Sequence, residues 1–386
     1  MIKDNYLLPL YKRVGPLFVK GRGSWLWDKN GRRYIDLFPG WGVSILGHSH
    51  PRIVKIISEQ ANKLIHLPNN LYHKWQFLLA EEIVKSSFRA KVFFANSGAE
   101  AIEAALKFSR LYGKGKGYEI ITMKNSFHGR TFGALSCTGQ KKYKEVFKPL
   151  LQGCKEVRFN DLRDFKRKIT KKTVAVLLEF IQGEGGINVA DKQYIKDLRD
   201  FCKIHDLLFI VDEVQTGMAR TGKLFCYQNY GIVPDIMILS KGLGAGLPIS
   251  CMIVKKSIAN IMGQGLHAST FGGNPLATRV SLEVFKIIKQ DNIILNVKKV
   301  SQYLFNRLNE FKRRFGIIKE VRGMGLMVGI QLTVKSYPLF KEALKKGLII
   351  NSTHENVLRI MPALNIARKE LDQGLEVLER VFKKIL

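Results

Sequence analysis

Apolar and polar positions follow two different periods along this chain, and the switches between them mark out its elements. From about residue 50, the segments "RIVKIISEQANKLI" (52–65), "FLLAEEIVKSSF" (77–88), "AEAIEAALKFSRLY" (99–112) and "DKQYIKDLRDFCKIHD" (191–206) place apolar residues at helical spacing and predict helices. Between them lie the short runs "KVFFAN" (91–96), "GYEIITM" (117–123), "TVAVLLEF" (173–180), "LLFIVDE" (207–213) and "DIMILS" (235–240), which predict strands. Runs such as "VAVLL" and "LLFIV" offer no polar face, so they belong in a mostly parallel sheet covered on both sides, an α/β architecture.

The texture changes after "GGNPLA" (272–277). A long helical region over about 276–315 is followed by two strands around a glycine turn (316–332), a helix (337–347), a strand pair (348–363) and a final helix to Leu386. The first fifty residues carry "GSWLWDKNGRRYIDLF", a hairpin with "DKNG" as its turn. The expected division is an N-terminal segment, 1–50, packing on a small α+β lobe, 276–386, with a large domain over 51–275.

Charge adds one question. The 63 basic residues against 32 acids give a net charge of +31, which opens the possibility of a nucleic-acid or anionic-surface partner. The basic clusters are scattered over the whole length and show no basic-aromatic interleaving, so a solvated basic surface that draws in anionic substrates is the better reading. No apolar run reaches the roughly 18 residues of a spanning helix. The start, with Asp4, lacks a secretory apolar core, and the five cysteines are spread and unpaired in sequence; both point to a reducing cytoplasm and to no metal site.

Candidate chemistry sits where strands end. "ILSKGLGAGLPIS" (238–250) puts Lys241 after an apolar strand and before three glycines, which would leave the lysine free to swing. "FFANSGAEAIEAAL" runs from a strand through Ser97 and Gly98 into a helix, either a phosphate-binding N-terminus or a plain cap. "FIVDEVQTG" ends a strand in Asp212 and Glu213. Two nucleotide-motif lookalikes fail: "GMARTGK" (217–223) lacks the Ser or Thr and the helix that should follow, and "RGMGLMVG" (322–329) leads into a strand. A lysine, an acid for a ring nitrogen and a phosphate cradle are the parts that a pyridoxal phosphate enzyme needs.

In order along the chain, "NSGAEAIEAALKFSR", "SFHGRTFGALS", "EFIQGEGG", "VDEVQTGMARTGK", "SKGLGAGLPIS", "STFGGNPLA" and "VLRIMPAL" resemble the class III aminotransferases of pyridoxal phosphate fold type I, most closely their acetylornithine branch. The resemblance runs from about Tyr6 to the C-terminus. It implies pyridoxal 5'-phosphate on Lys241, with Asp212 and its neighbour Glu213 at the ring nitrogen and Ser97, Gly98 and Ala99 at the phosphate. Phe127 stacks on one ring face beside His128, whose alternative is an ordinary loop histidine; Val214 packs the other face, and Gln215 approaches the phenolic oxygen. Thr270 reaches into the partner subunit, which implies a homodimer with shared active sites.

For substrates, the resemblance gives carboxylate binding to Arg130 and Arg359, with Glu184 masking Arg359 while the ω-amino donor is bound and Ser269 nearby. The implied reaction is ping-pong transfer of an amino group to 2-oxoglutarate, with Lys241 as proton shuttle. The family often has "PP" after the last arginine, whereas this chain has "MPA" (361–363). Ornithine, acetyllysine, succinylornithine and 4-aminobutyrate are rival donors. A basic nucleic-acid-binding protein on a relict enzyme fold is the rival of another class.

Overall fold

A computed structural model of the chain describes residues 6–384. Asp4 and the last two residues of the predicted final helix lie outside the described residues.

Seven strands form the central sheet in the order Ala90–Ala95, Ser250–Lys255, Ile236–Leu239, Leu208–Asp212, Thr173–Leu178, Glu119–Met123, Cys154–Val157. Ser250–Lys255 runs antiparallel to both its neighbours and the other pairings are parallel, as the unbroken apolar runs predict. Alternate residues feed two separate cores. Val176, Leu178, Phe209 and Val211 enter one cluster, while Ala175, Leu177, Leu208 and Ile210 enter the other. Because the strands are parallel, the carboxyl ends of most of them share one edge of the sheet, and the site is built there.

The helices predicted over 52–65, 77–88, 99–112 and 191–206 are Pro51–Ala61, Lys74–Ser86, Gly98–Tyr112 and Lys192–Ile204. Pro51 opens the first, and Asp191 caps the last by accepting the N–H of Tyr194 at 2.8 Å. The N-terminal hairpin pairs Trp25–Asp28 with Arg33–Asp36. Its turn is held by Asp28, whose Oδ1 accepts the N–H groups of Asn30 and Arg32 at 2.9 and 3.0 Å, and Gly31 supplies a φ of 80°. Arg33–Asp36 then pairs in parallel with Leu348–Ile349 and so sets the hairpin beside the C-terminal elements.

A second, antiparallel sheet runs Ile318–Met324, Met327–Leu332, Val357–Ile360, Asn351–Thr353. Arg220, from the failed "GMARTGK" motif, ties the segment after Asp212 to this region. It is buried, and its Nη1 donates to the carbonyls of Leu326 at 3.0 Å and Pro362 at 2.6 Å. Loss of water lowers its pKa to about 9.

The helical region of 276–315 is two helices, Pro275–Gln290 and Ile293–Arg314, because Asn292 adopts a left-handed φ of 50° between them. Asparagine tolerates that conformation better than most residues and still keeps a helical apolar spacing around it. Asn292→Val should therefore cost about 1–2 kcal/mol of unfolding free energy, and Asn292→Gly much less, in urea titrations; equal effects would place the strain elsewhere.

Candidate active site

The strand ends enclose a cavity of about 480 Å³, large enough for a small ligand. Its wall draws on the loops after five strands: Asn96 to Ala99, Phe127 to Arg130, Glu179, Asp212 with Val214 and Gln215, and Ser240 with Lys241.

Lys241 stands two residues beyond Ile236–Leu239 at a φ of 43°, a left-handed conformation costing an L-residue about 1–2 kcal/mol. The surroundings fix it: Ser240 Oγ donates to the Ile249 carbonyl at 3.0 Å, and a Cβ on Gly244 would lie 2.1 Å from the Leu247 carbonyl oxygen. A Cβ on Gly242 would crowd Ile45 at 2.9 Å. The first two glycines after the lysine thus permit close packing. Burial lowers the Lys241 pKa to about 8, against the opposing pull of Glu184 and Asp212.

Asp212 ends Leu208–Asp212 and is buried. Its Oδ1 accepts the Val214 N–H at 3.0 Å, and its Oδ2 lies 2.8 Å from His128 Nδ1. His128 is buried as well, and its backbone N–H is held by Thr138 Oγ1 at 3.0 Å. The histidine is thus a fixed partner of the aspartate, not a loose loop residue. Its Nε2 has no partner among the described residues, leaving a buried polar atom to be satisfied at this end of the site.

Ser97 caps Gly98–Tyr112: its Oγ accepts the Glu100 N–H at 3.3 Å, and Glu100 Oε2 accepts the N–H groups of Asn96 at 2.6 Å and Ser97 at 3.3 Å. Both readings of this motif therefore coexist. The helix is capped, and its first residues, Gly98 and Ala99, still line the cavity with the amides that a helix start leaves unpaired. Gly98 lets that start close on Val214, since a Cβ there would meet the valine methyls at 3.0 and 3.2 Å.

A second group lies around Arg359, which is fully buried on Val357–Ile360. Its Nη2 sits 2.8 Å from Glu184 Oε1 and its Nη1 donates to the Gly183 carbonyl at 2.7 Å. Asn351 Oδ1 accepts from Nη2 at 3.0 Å, and the Phe38 ring lies 4.7 Å from the guanidinium carbon. Burial alone would raise the Glu184 pKa, but the charges of Arg359 and Lys241 bring it below the usual carboxylate value. Gln215 bridges toward both groups, with its Oε1 3.4 Å from Arg359 Nη1. Arg130 is exposed at the cavity mouth, its guanidinium 3.8 Å over the Tyr143 ring and 5.5 Å from that of Phe127.

Three expected residues stand apart. Glu213 turns away from the cavity: its carboxylate accepts the N–H groups of Cys226 at 2.6 Å and Tyr227 at 2.7 Å. Ser269 Oγ is taken up by Asn96 Nδ2 at 3.2 Å and the Gly272 N–H at 3.0 Å. Thr270 is exposed and outside the lining of the cavity.

Glu179 was not anticipated. It is buried on the cavity wall, and desolvation pushes its pKa up to about 7. The available signal was an acid at the carboxyl end of the strand run "TVAVLLEF", the same pattern that singles out Asp212.

This donor set fits pyridoxal 5'-phosphate. It offers an amine of lowered pKa, a carboxylate braced by an imidazole, a helix start for a phosphate, and apolar groups of Phe127 and Val214 for the two faces of a ring.

The class-III aminotransferase family model matches residues 11–382. The acetylornithine aminotransferase of Caldanaerobacter subterraneus subsp. tengcongensis is 46% identical over 388 residues, covering 99% of this chain and 98% of that protein. The crystal structure of N-acetylornithine aminotransferase from Stenotrophomonas maltophilia superposes with a TM-score of 0.85 at 35% identity, covering 96% of each chain. The ornithine aminotransferase of Toxoplasma gondii, described with partial occupancy of pyridoxal phosphate at its active site, gives 0.94 at 28% identity over 98% of this chain and 92% of that one. On a match that runs through every strand end of the cavity, the chain belongs to the class III aminotransferases, transaminases that work with pyridoxal phosphate.

Proposed function

We propose that this enzyme transfers the ω-amino group of N2-acetylornithine to 2-oxoglutarate, giving N-acetylglutamate 5-semialdehyde and glutamate, as a cytoplasmic homodimer with a large domain over 51–275 and a small lobe built from 276–386 and the N-terminal segment. The observation that carries this reading is the 2.8 Å Glu184–Arg359 pair, taken together with the exposed Arg130 on the cavity wall. Two arginines, one of them already neutralised, suit an enzyme that takes a donor with one carboxylate and an acceptor with two. The substrate named for the 46% identical relative supports the choice of donor.

Pyridoxal phosphate, when bound, supplies an electron sink that lowers the cost of removing a proton from the carbon bearing the amine. Lys241, with its lowered pKa, releases and accepts a proton near neutral pH and serves as the shuttle between the two carbons involved. Asp212, braced by His128, presents a negative oxygen where a protonated ring nitrogen would sit. The amides of Gly98 and Ala99, with Ser97 beside them, would hold the phosphate, and Thr270 of the partner subunit would complete that edge. Phe127 and Val214 would hold the ring, with Gln215 toward its oxygen.

Arg130 binds the α-carboxylate of acetylornithine and then the distal carboxylate of 2-oxoglutarate. While the amine donor is present, Glu184 stays on Arg359, and the ω-amine enters without meeting that guanidinium unpaired. The second carboxylate of 2-oxoglutarate takes the place of Glu184 on Arg359, and the site changes substrate class by moving one side chain.

Arg359→Ala should lower kcat/KM for 2-oxoglutarate by about 100-fold or more while the acetylornithine half-reaction changes far less, read in single-turnover assays. Equal losses would remove Arg359 from acceptor recognition. Lys241→Ala should abolish turnover and the amine-dependent loss of the cofactor's absorbance band. In the wild type, N-acetylornithine should discharge that band at lower concentration than ornithine or 4-aminobutyrate. A different order of amines changes the donor.

Lys241 also has a cost in the cofactor-free protein. Its folded pKa of about 8 lies below the 10.5 of a free lysine, so the unfolded chain binds the extra proton between those values. Lys241→Met should therefore stabilise the cofactor-free protein at pH 7 by up to about 3 kcal/mol, a gap that closes as pH rises from 8 to 10.5. Denaturant titrations across that range check the sign, and a gap that widens with pH would contradict it.

A further inference from the structure

Glu179 divides its carboxylate between two loops. Its Oε2 accepts the N–H of Phe127 at 3.0 Å, and its Oε1 accepts the N–H of Gly183 at 3.1 Å. The first loop carries Arg130. The second carries Glu184, and the carbonyl of the same Gly183 accepts from Arg359. One buried carboxylate thus holds the amide of a residue whose carbonyl holds the second arginine. No room is left for slack, because a Cβ on Gly183 would lie 2.5 Å from Gln215 Oε1.

We infer that Glu179 is a positioning residue for acceptor recognition: it fixes the turn from which Glu184 moves on and off Arg359, and sets that turn in register with the Arg130 loop. The inference rests on the gate role of Glu184 proposed above. Both loops have further ties. The Asn125 N–H meets the Gly139 carbonyl at 2.9 Å and the His128 N–H meets Thr138 Oγ1 at 3.0 Å, while Thr353 Oγ1 donates to the Glu184 carbonyl at 3.2 Å and Arg322 Nη2 to the Gly186 carbonyl at 2.7 Å. The two amides themselves, of Phe127 and Gly183, are held by Glu179. Gly183 adjoins Glu184, so the loss of an acceptor at that end is felt at the gate. The charged groups facing the carboxylate from the other elements are His128, Asp212 and Lys241; the first two are committed to each other at 2.8 Å, and an ammonium offers the Gly183 amide no acceptor, so none replaces it.

Glu179→Gln tests this, since a glutamine of the same shape keeps one acceptor oxygen and presents an amide N–H₂ to the other donor. In single-turnover assays the variant should raise the 2-oxoglutarate concentration for half-maximal rate by about tenfold or more relative to its effect on acetylornithine, as expected for one lost hydrogen bond to a charged group. In an Arg359→Ala background the same substitution should add little to the acceptor defect, because the gate it positions is gone. Equal losses in both half-reactions, or full additivity with Arg359→Ala, would overturn the inference in favour of a structural role.

Amide exchange in the wild-type protein gives a second reading that needs no variant. Gly183 should be protected at least about 100-fold over an unstructured chain, and exchange at the free rate would refute the bridge. A wild-type enzyme that does not react with 2-oxoglutarate at all would instead count against the proposed function.

Discussion

Charges that lose water must be matched by others that have lost it too, and this constraint organises the molecule. A sheet covered on both faces is apolar along its strands, so polar chemistry is confined to the strand ends. Parallel strands bring those ends together. Asp212, Glu179 and Lys241 follow three different strands, and His128, Glu184 and Arg359 close the circle around them. No one of these groups is stable there alone. Arg359 is fully buried with Glu184 at 2.8 Å, and Asp212 is buried with His128 at 2.8 Å. Among the described residues Lys241 has no acid in contact, and burial makes it give up its proton more easily. Of the two buried cations at this edge of the sheet, Lys241 and Arg359, the one without an acid in contact is the one proposed to move a proton.

The same bookkeeping explains Arg220. It is as buried as Arg359 but faces two carbonyls in place of a carboxylate, and its pKa falls to about 9. A guanidinium that spans from the segment after Asp212 to the carbonyl of Pro362 couples the sheet that carries the aspartate to the region of Arg359. Two parts of the site that are far apart in sequence are thereby held in one geometry.

Much of this could be read from the chain, and the reason is locality. Parallel strands were legible because an apolar run records burial on both faces without reference to any partner. Lys241 and Asp212 were legible because strand ends are positions with meaning in such a sheet. Glu179 escaped notice although it also ends a strand, because its importance lies in Phe127, 52 residues away, and in which amides it accepts. Glu213 was misread for the opposite reason. Adjacent residues in extended backbone point to opposite sides, so an acid next to Asp212 tends to face away from what Asp212 faces. Its carboxylate instead holds the turn at Cys226 and Tyr227. The break at Asn292 was hidden because a single left-handed residue leaves the helical spacing of its neighbours intact.

The net charge of +31 belongs to a different scale of the problem. Glu179, Asp212, Lys241, Arg130 and His128 line the cavity, and Glu184 and Arg359 pair with each other next to its Gln215, so the site holds little excess of either sign. The surplus must therefore lie on the outside, where the lysines are spread over the whole chain. Exposed charges act through a screening length of about 8 Å at physiological salt, which is too short to strengthen binding at a buried arginine but long enough to bias the approach of a dianion. Recognition of a carboxylate is then left to two guanidiniums of fixed geometry, while the basic surface acts on encounter. A dispersed charge serves that purpose better than a single patch, which would also invite polyanions to settle on it.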